Sequence, residues 1–183
     1  MKIVTISPYL NRLPTLEPSA FVAPSADVIG DVHIGAESSV WHGCVVRGDV
    51  NVIRIGKRTN IQDGTVIHVT RGTKDGNMGT GAGQGTHIGD EVTIGHMALL
   101  HDCTIGDRAF IGMKACVMDK AEVQAGAMLA AGALLTPGKV VPSGQLWAGS
   151  PAKYMRDLTE QETAFLSVSA ENYVRLSRDY LCD

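Results

Sequence analysis

An aliphatic side chain returns every six positions along most of this chain. The first run is Val22, Val28, Ile34, Val40, Val46 and Val52. It restarts at Ile55, Ile61 and Ile67, and resumes after an insertion at Ile88, Ile94 and Leu100. One five-residue step then leads to Ile105, Ile111, Val117, Val123, Leu129, Leu135 and Val141. A 3.6-residue helix does not give this period, and neither does two-residue alternation alone. A short flat strand followed by a corner does, and three such units make a triangular coil of about eighteen residues. The aliphatic residue then points inward on each face. Small residues four positions later (Ser38, Ala98, Ala109, Ala115, Ala121, Ala127, Ala133) fit the crowded corners. Glycines directly after it (Gly35, Gly56, Gly89, Gly95, Gly106, Gly112) ease the tight backbone there.

Coils stacked in this way form parallel strands. The pattern therefore predicts a mainly β fold, a parallel β-helix of hexapeptide repeats over about residues 20–150. Similarity to other hexapeptide-repeat proteins makes the expected winding left-handed. Past LWAGSPAKYMRDL, Thr159 and Glu162 have capping-box spacing. Leu166, Ala170, Tyr173, Val174, Ser177 and Leu181 then recur at helical spacing, which predicts an amphipathic C-terminal α-helix over about 160–181. TRGTKDGNMGTGAGQGTH, residues 70–87, interrupts the register and reads as a loop insertion. It carries neither glycine-rich phosphate-binding spacing, and is expected to border a site rather than cradle a ligand. All of this fits one domain over 1–183.

Composition narrows the partners. With 16 basic against 19 acidic residues and no run of like charge, the chain lacks the basic stripe of a nucleic-acid binder. No segment has the length of a membrane span, and MKIVTISPYLNRLP has no apolar core of signal-peptide length. Four cysteines without a CxxC pair fit a reducing cytoplasm.

The register also sorts the histidines. His68 follows Ile67 and His101 follows Leu100, so both occupy the slot just after an inward aliphatic residue. They are separated by one coil plus the insertion, and should stack on one face within reach of one cation. His96 lies two after Ile94, on the preceding face, and more naturally projects toward a neighbouring subunit. Three imidazoles with an open position are the ligand set of a catalytic zinc. Arg47, Asp49, Asn60, Gln62 and Asp63 flank the same region, with Gln62 placed to touch a metal-bound water and Arg47 and Asp63 suited to ion pairs.

VVRGDVNVIRIGKRTNIQDGTVIHV followed by IGHMALLHDCTIG, with GSPAK and the final SAENYV, resembles the gamma-class carbonic anhydrases and their bacterial relatives over nearly the whole chain. The resemblance implies a homotrimer with zinc, or iron or cobalt in its place, at the subunit interfaces. His68 and His101 would come from one subunit and His96 from its neighbour. Arg47, Asp49 and Asp63 would form a cross-subunit ion-pair network, Asn60 and Gln62 would orient the bound water, and Tyr173 would approach the metal. The implied reaction is reversible hydration of CO2 to bicarbonate. The sequence departs from the family pattern where Val50 follows Asp49 in place of a proton-exporting glutamate, and where the loop TRGTKDGNMG after His68 has Asp75 as its only carboxylate, which predicts weak turnover. Competing readings on the same fold are a CoA-thioester hydrolase using the same metal, an acyltransferase with a histidine base, and a non-catalytic assembly subunit.

Overall fold

The computed structural model describes residues 5–72 and 82–182, and the six-residue period folds there as a column of stacked coils. Parallel pairing on the first face aligns Val28, Val46, Ile67, Leu100, Val117 and Leu135. The second face aligns Ile34, Ile55, Ile88, Ile105, Val123 and Val141. The third aligns Val22, Val40, Ile61, Ile94, Ile111 and Leu129. All but Val22 are buried, so the interior is three aliphatic ladders meeting on one axis. The expected architecture, a mainly β parallel solenoid with one C-terminal helix, is the one observed, with about seven turns. The insertion expected at 70–87 lies outside the described residues at 73–81, and a strand has begun by Thr86.

Two details of the register differ from expectation. Val52 is only half-buried, and its neighbour Ile53 is the fully buried residue. The cause is a register shift between Gly30 and Val32, which lets the long strand Val45–Ile55 run through a corner without a turn. The glycines after the aliphatic positions also have another purpose. A Cβ on Gly35 would sit 2.6 Å from the Gly56 carbonyl carbon of the next coil, and one on Gly95 would sit 2.7 Å from Met113 N. Close stacking therefore excludes a side chain there, whereas the left-handed backbone falls two residues further on. Glu37, Arg58, Glu91, Met97, Arg108, Lys114 and Lys120 all have φ between 55 and 59° at those corners.

The outward positions give each face a different fate. On the second face they are His33, Arg54, His87, Thr104, Glu122 and Val140, mostly polar. On the first they are Val45, Val66, Leu99, Cys116 and Leu134, an apolar ladder with Val66 and Leu99 exposed. The third face is covered by the helix Glu160–Cys182, which buries Leu166, Ser169, Ala170, Val174 and Ser177 against it. Ser169 joins the buried stripe and Leu181, 52% exposed, leaves it. Rings of Phe21, Trp41, Tyr173 and Tyr180 pack together, and Arg58 pairs with Glu37 and Glu171, tying helix to column. The capping box closes as expected, with Glu162 N donating to Thr159 Oγ1 and Thr159 N to Glu162 Oε2. Among the described residues no helix is long and apolar enough to cross a membrane.

Gly35→Ala should lower stability by about 1–3 kcal/mol through backbone overpacking. Lys114→Gly, which removes a Cβ from a left-handed corner, should be neutral or stabilising by up to ~1 kcal/mol, because that conformation costs an L-residue about 1–2 kcal/mol. Urea unfolding of both variants checks the pair. The Arg156 guanidinium and the Thr159 amide hold Glu162 down at about 2 from the usual 4.5. Its stabilising effect is complete above the unfolded value and disappears as pH falls toward 2. Glu162→Gln should therefore melt earlier than the parent at pH 7, with the gap closing by pH 2.

Candidate metal centre

The residues singled out from the sequence fall into two clusters at opposite edges of the first face. The first forms where the strands Val66–His68 and Leu99–His101 pair with His68 directly opposite His101. The ring centroids are 5.2 Å apart, and His68 Nδ1 faces His101 Nε2 across 3.2 Å. Each outer ring nitrogen meets a carboxylate. His68 Nε2 is 3.0 Å from Asp49 Oδ1, and His101 Nδ1 is 2.7 Å from Asp119 Oδ1. The second oxygen of each carboxylate is also held: Arg47 NH1 donates to Asp49 Oδ2, and Thr70 Oγ1 donates to Asp119 Oδ2 at 2.6 Å.

Electrostatics follow from these contacts. Burial pushes Asp49 up, but the hydrogen bonds from Arg47 and His68 outweigh it and leave the carboxyl below its ordinary range. Asp119 is lowered in the same way, with Thr70 and His101 outweighing burial. His68 is held below its ordinary value, chiefly by burial and then by Arg47 and His101, against the pull of Asp49. The carboxylates are therefore ionised and accept ring protons, which assigns the imidazole tautomers. With Nε2 of His68 and Nδ1 of His101 protonated, the two facing nitrogens both present lone pairs. Two acceptors 3.2 Å apart repel unless a cation lies between them. Two imidazole nitrogens bound tetrahedrally to one zinc at about 2.0–2.1 Å would stand about 3.3 Å apart, so the pair fits such an ion.

The second cluster occupies the corner that leads into the first face. Asp63 and His96 stack there on consecutive coils, with Met97 N donating to Asp63 O at 2.8 Å. His96 Nδ1 lies 3.0 Å from Asp63 Oδ2. Behind them, on the third face, a buried polar chain runs from Ser169 Oγ to Thr93 Oγ1, to the Asn60 amide, to Gln62 Nε2. Gln62, His96, Phe110, Met113, Phe165 and Tyr173 line one cavity of about 460 Å³. Burial, and after it the Asp63 charge, push the Tyr173 phenol upward.

Within one chain, then, Arg47 pairs with Asp49 while Asp63 pairs with His96, and His96 does not join His68 and His101. Among the described residues no three His, Cys, Asp or Glu side chains gather in a metal-binding group. Sequence reasoning missed Asp119 and Thr70. Asp119 lies eighteen residues after His101. The five-residue step moves the register so that Leu100 pairs with Val117, which leaves Asp119 one position past the slot opposite His101.

The chain is 47% identical over 179 residues to the mitochondrial gamma carbonic anhydrase 1 of Arabidopsis thaliana. It is 48% identical over 156 residues to a probable carbonic anhydrase of Methanocaldococcus jannaschii, covering 91% of that protein. The chain belongs to the gamma carbonic anhydrase family. Protein YrdA of Escherichia coli, 43% identical over 94% of its length, is another relative. The chain spans 63% of the length of the plant gamma carbonic anhydrase 1. No protein-family model matches the chain. A hexapeptide transferase family protein from Anaplasma phagocytophilum superposes with a TM-score of 0.88 at 49% identity, covering 97% of this chain and 98% of that one. A putative acetyltransferase from Bacillus cereus gives 0.86 at 36% identity, covering 96% of each. Gamma carbonic anhydrases are, as a family, metal-dependent.

The polar chain behind His96 yields a prediction about this gamma carbonic anhydrase fold. Thr93→Val deprives the Asn60 amide and Ser169 of their shared partner in a buried setting. It should cost about 1–3 kcal/mol, measured by denaturant unfolding of the metal-free protein.

Proposed function

We propose that this protein is a zinc-dependent carbonic anhydrase whose active site is assembled from the two half-sites of adjacent subunits in a homotrimer. The observation that carries the reading is the 3.2 Å approach of His68 Nδ1 to His101 Nε2, with each ring backed on its far side by its own carboxylate. A three-fold ring of identical contacts joins one edge of each first face to the other edge of its neighbour. His96 of one chain then completes the ligand set begun by His68 and His101 of the next. The apolar ladder Val45, Val66, Leu99, Cys116 and Leu134 lies between the two half-sites and supplies the surface such a contact would bury. Arg47 and Asp63, at opposite edges of that face, come within reach of each other only across this interface. Iron or cobalt would suit the same imidazole donors.

When bound, zinc supplies a hydroxide nucleophile at neutral pH. The chain's own groups do the rest. The mainly apolar cavity beside His96 suits CO2. Gln62, whose Nε2 is fixed on Asn60 Oδ1, offers its remaining amide oxygen at that cavity. Tyr173 stands over the same space with its phenol protonated. Asp49 and Asp119 keep the imidazoles in their binding tautomers. With Val50 where a proton-exporting carboxylate would stand, proton release to buffer is the slow step and turnover is modest. The four free cysteines suit a reducing cytoplasm.

The purified protein should carry about one zinc per chain and hydrate CO2. His96→Ala should lose zinc from every site although each keeps two histidines. Co-expressing His96→Ala with His101→Ala should restore part of the zinc and activity, because a mixed trimer can join an intact His68–His101 pair to an intact His96. A site within one subunit would show no such rescue. Acetyl transfer from acetyl-CoA by the metal-free protein, the kind of activity that the name of the Bacillus cereus neighbour suggests, would overturn the proposal.

A further inference from the structure

We propose that Asp119 is a positioning residue that makes His101 a metal ligand, and that Thr70 positions Asp119 in turn. The inference rests on the metal-site reading above, but concerns residues outside its ligand set. The His101 side chain is 29% exposed on a face edge, where a ring can flip between two orientations. Only the orientation with Nδ1 on Asp119 presents Nε2 to His68 Nδ1. Because Asp119 accepts the Nδ1 proton, Nε2 keeps its lone pair in the absence of any metal. The carboxylate thus selects both the orientation and the tautomer.

Asp119 is itself held. Its second oxygen accepts the Thr70 hydroxyl at 2.6 Å, so its plane is set by two different coils. Thr70 stands where the chain leaves the column, and that departure point is fixed by the fully buried Asp102. Asp102 Oδ1 accepts from Thr70 N at 3.4 Å and from Gly85 N at 2.9 Å, gripping both ends of the excursion. His101 and Asp102 are neighbours at the shortened corner, so one turn of backbone fixes the ligand and anchors the base of the loop. The other ligand is supported in the same way, with Arg47 replacing Thr70: Arg47 holds Asp49, and Asp49 holds His68. Each imidazole has one carboxylate, and each carboxylate has one orienting donor.

The side chains of His101 and Asp119 are both partly exposed, so their pairing is not needed to satisfy a buried group. Removing Asp119 should therefore loosen metal binding more than it loosens the fold. The test is zinc affinity by chelator competition on the full-length protein and on Asp119→Ala, Asp119→Asn and Thr70→Val. Nitrogen-15 NMR of the histidine rings in the metal-free proteins accompanies it. Asp119→Ala should weaken zinc about 10–100-fold. Asp119→Asn, which keeps an acceptor, should recover part of that loss, and Thr70→Val should show a smaller loss than alanine at 119. In the metal-free wild type His101 should carry its proton on Nδ1, and in Asp119→Ala the Nε2 tautomer should grow in. Affinity within twofold of wild type in Asp119→Ala, or an unchanged His101 tautomer, would overturn the proposal. Should the alanine variant fail to fold, wild-type affinity in both Asp119→Asn and Thr70→Val would overturn it equally. A wild-type protein that takes no zinc would instead defeat the metal-site reading, and the tautomer measurement would still decide the role of Asp119.

Discussion

Parallel hydrogen bonding between consecutive coils is the constraint on which the rest of this molecule depends. Each coil must offer the same slot to the same face of the next, so inward aliphatic residues align and cannot drift. Departures from the six-residue step can occur only at corners, where no ladder bond is lost. The five-residue step lies directly after His101, the excursion leaves just after His68, and both use the same corner on adjacent coils. That placement lets two residues 33 apart in sequence stand opposite each other in register.

The pairing alone would create a problem. Two neutral imidazoles side by side can share one hydrogen bond if one tautomer is free to adapt. Asp49 and Asp119 remove that freedom by taking the proton on the far side of each ring. The local arrangement is thereby poorly satisfied by itself and well satisfied by a cation. Two ionised carboxylates beyond the rings also offset the charge of a divalent ion, while Arg47 keeps Asp49 from approaching it directly. The specificity of such a centre lies as much in the groups that fix the ligands as in the ligands.

The fold was legible in the sequence because a six-residue period of aliphatic residues has one structural solution, and the helix because Thr159 and Glu162 mark its start. The pairing of His68 with His101 was legible for the same reason: both follow an inward residue. The passage through Gly30 and Val32 was not, since a register shift leaves no mark in residue type and shifts burial from Val52 to Ile53. The tightness at the glycines was legible, but not its source, because a positive φ and a close approach to the next coil select the same residue in the sequence. Asp119 stayed hidden because its partnership depends on a corner one residue shorter than the rest. The register already put Gln62 and His96 on the face before His68 and His101, whereas the pairing of His96 with Asp63 across two coils emerges only in three dimensions.

The three faces finally explain why the half-sites lie where they do. The third face carries Asn60, Thr93 and Phe110 outward, and the C-terminal helix covers it. The second is polar and suits water. Among the described residues the first face combines an apolar ladder with no covering element, and its two edges carry the His68–His101 and Asp63–His96 clusters. In the proposed trimer, a closed three-fold ring sets one edge of each column against the opposite edge of the next, so that every half-site meets its complement once. On that proposal, assembly between subunits is the condition for a three-histidine ligand set. The five-residue spacing of His96 and His101 spans the corner between two faces, and in the proposed assembly it would let the two histidines serve different sites.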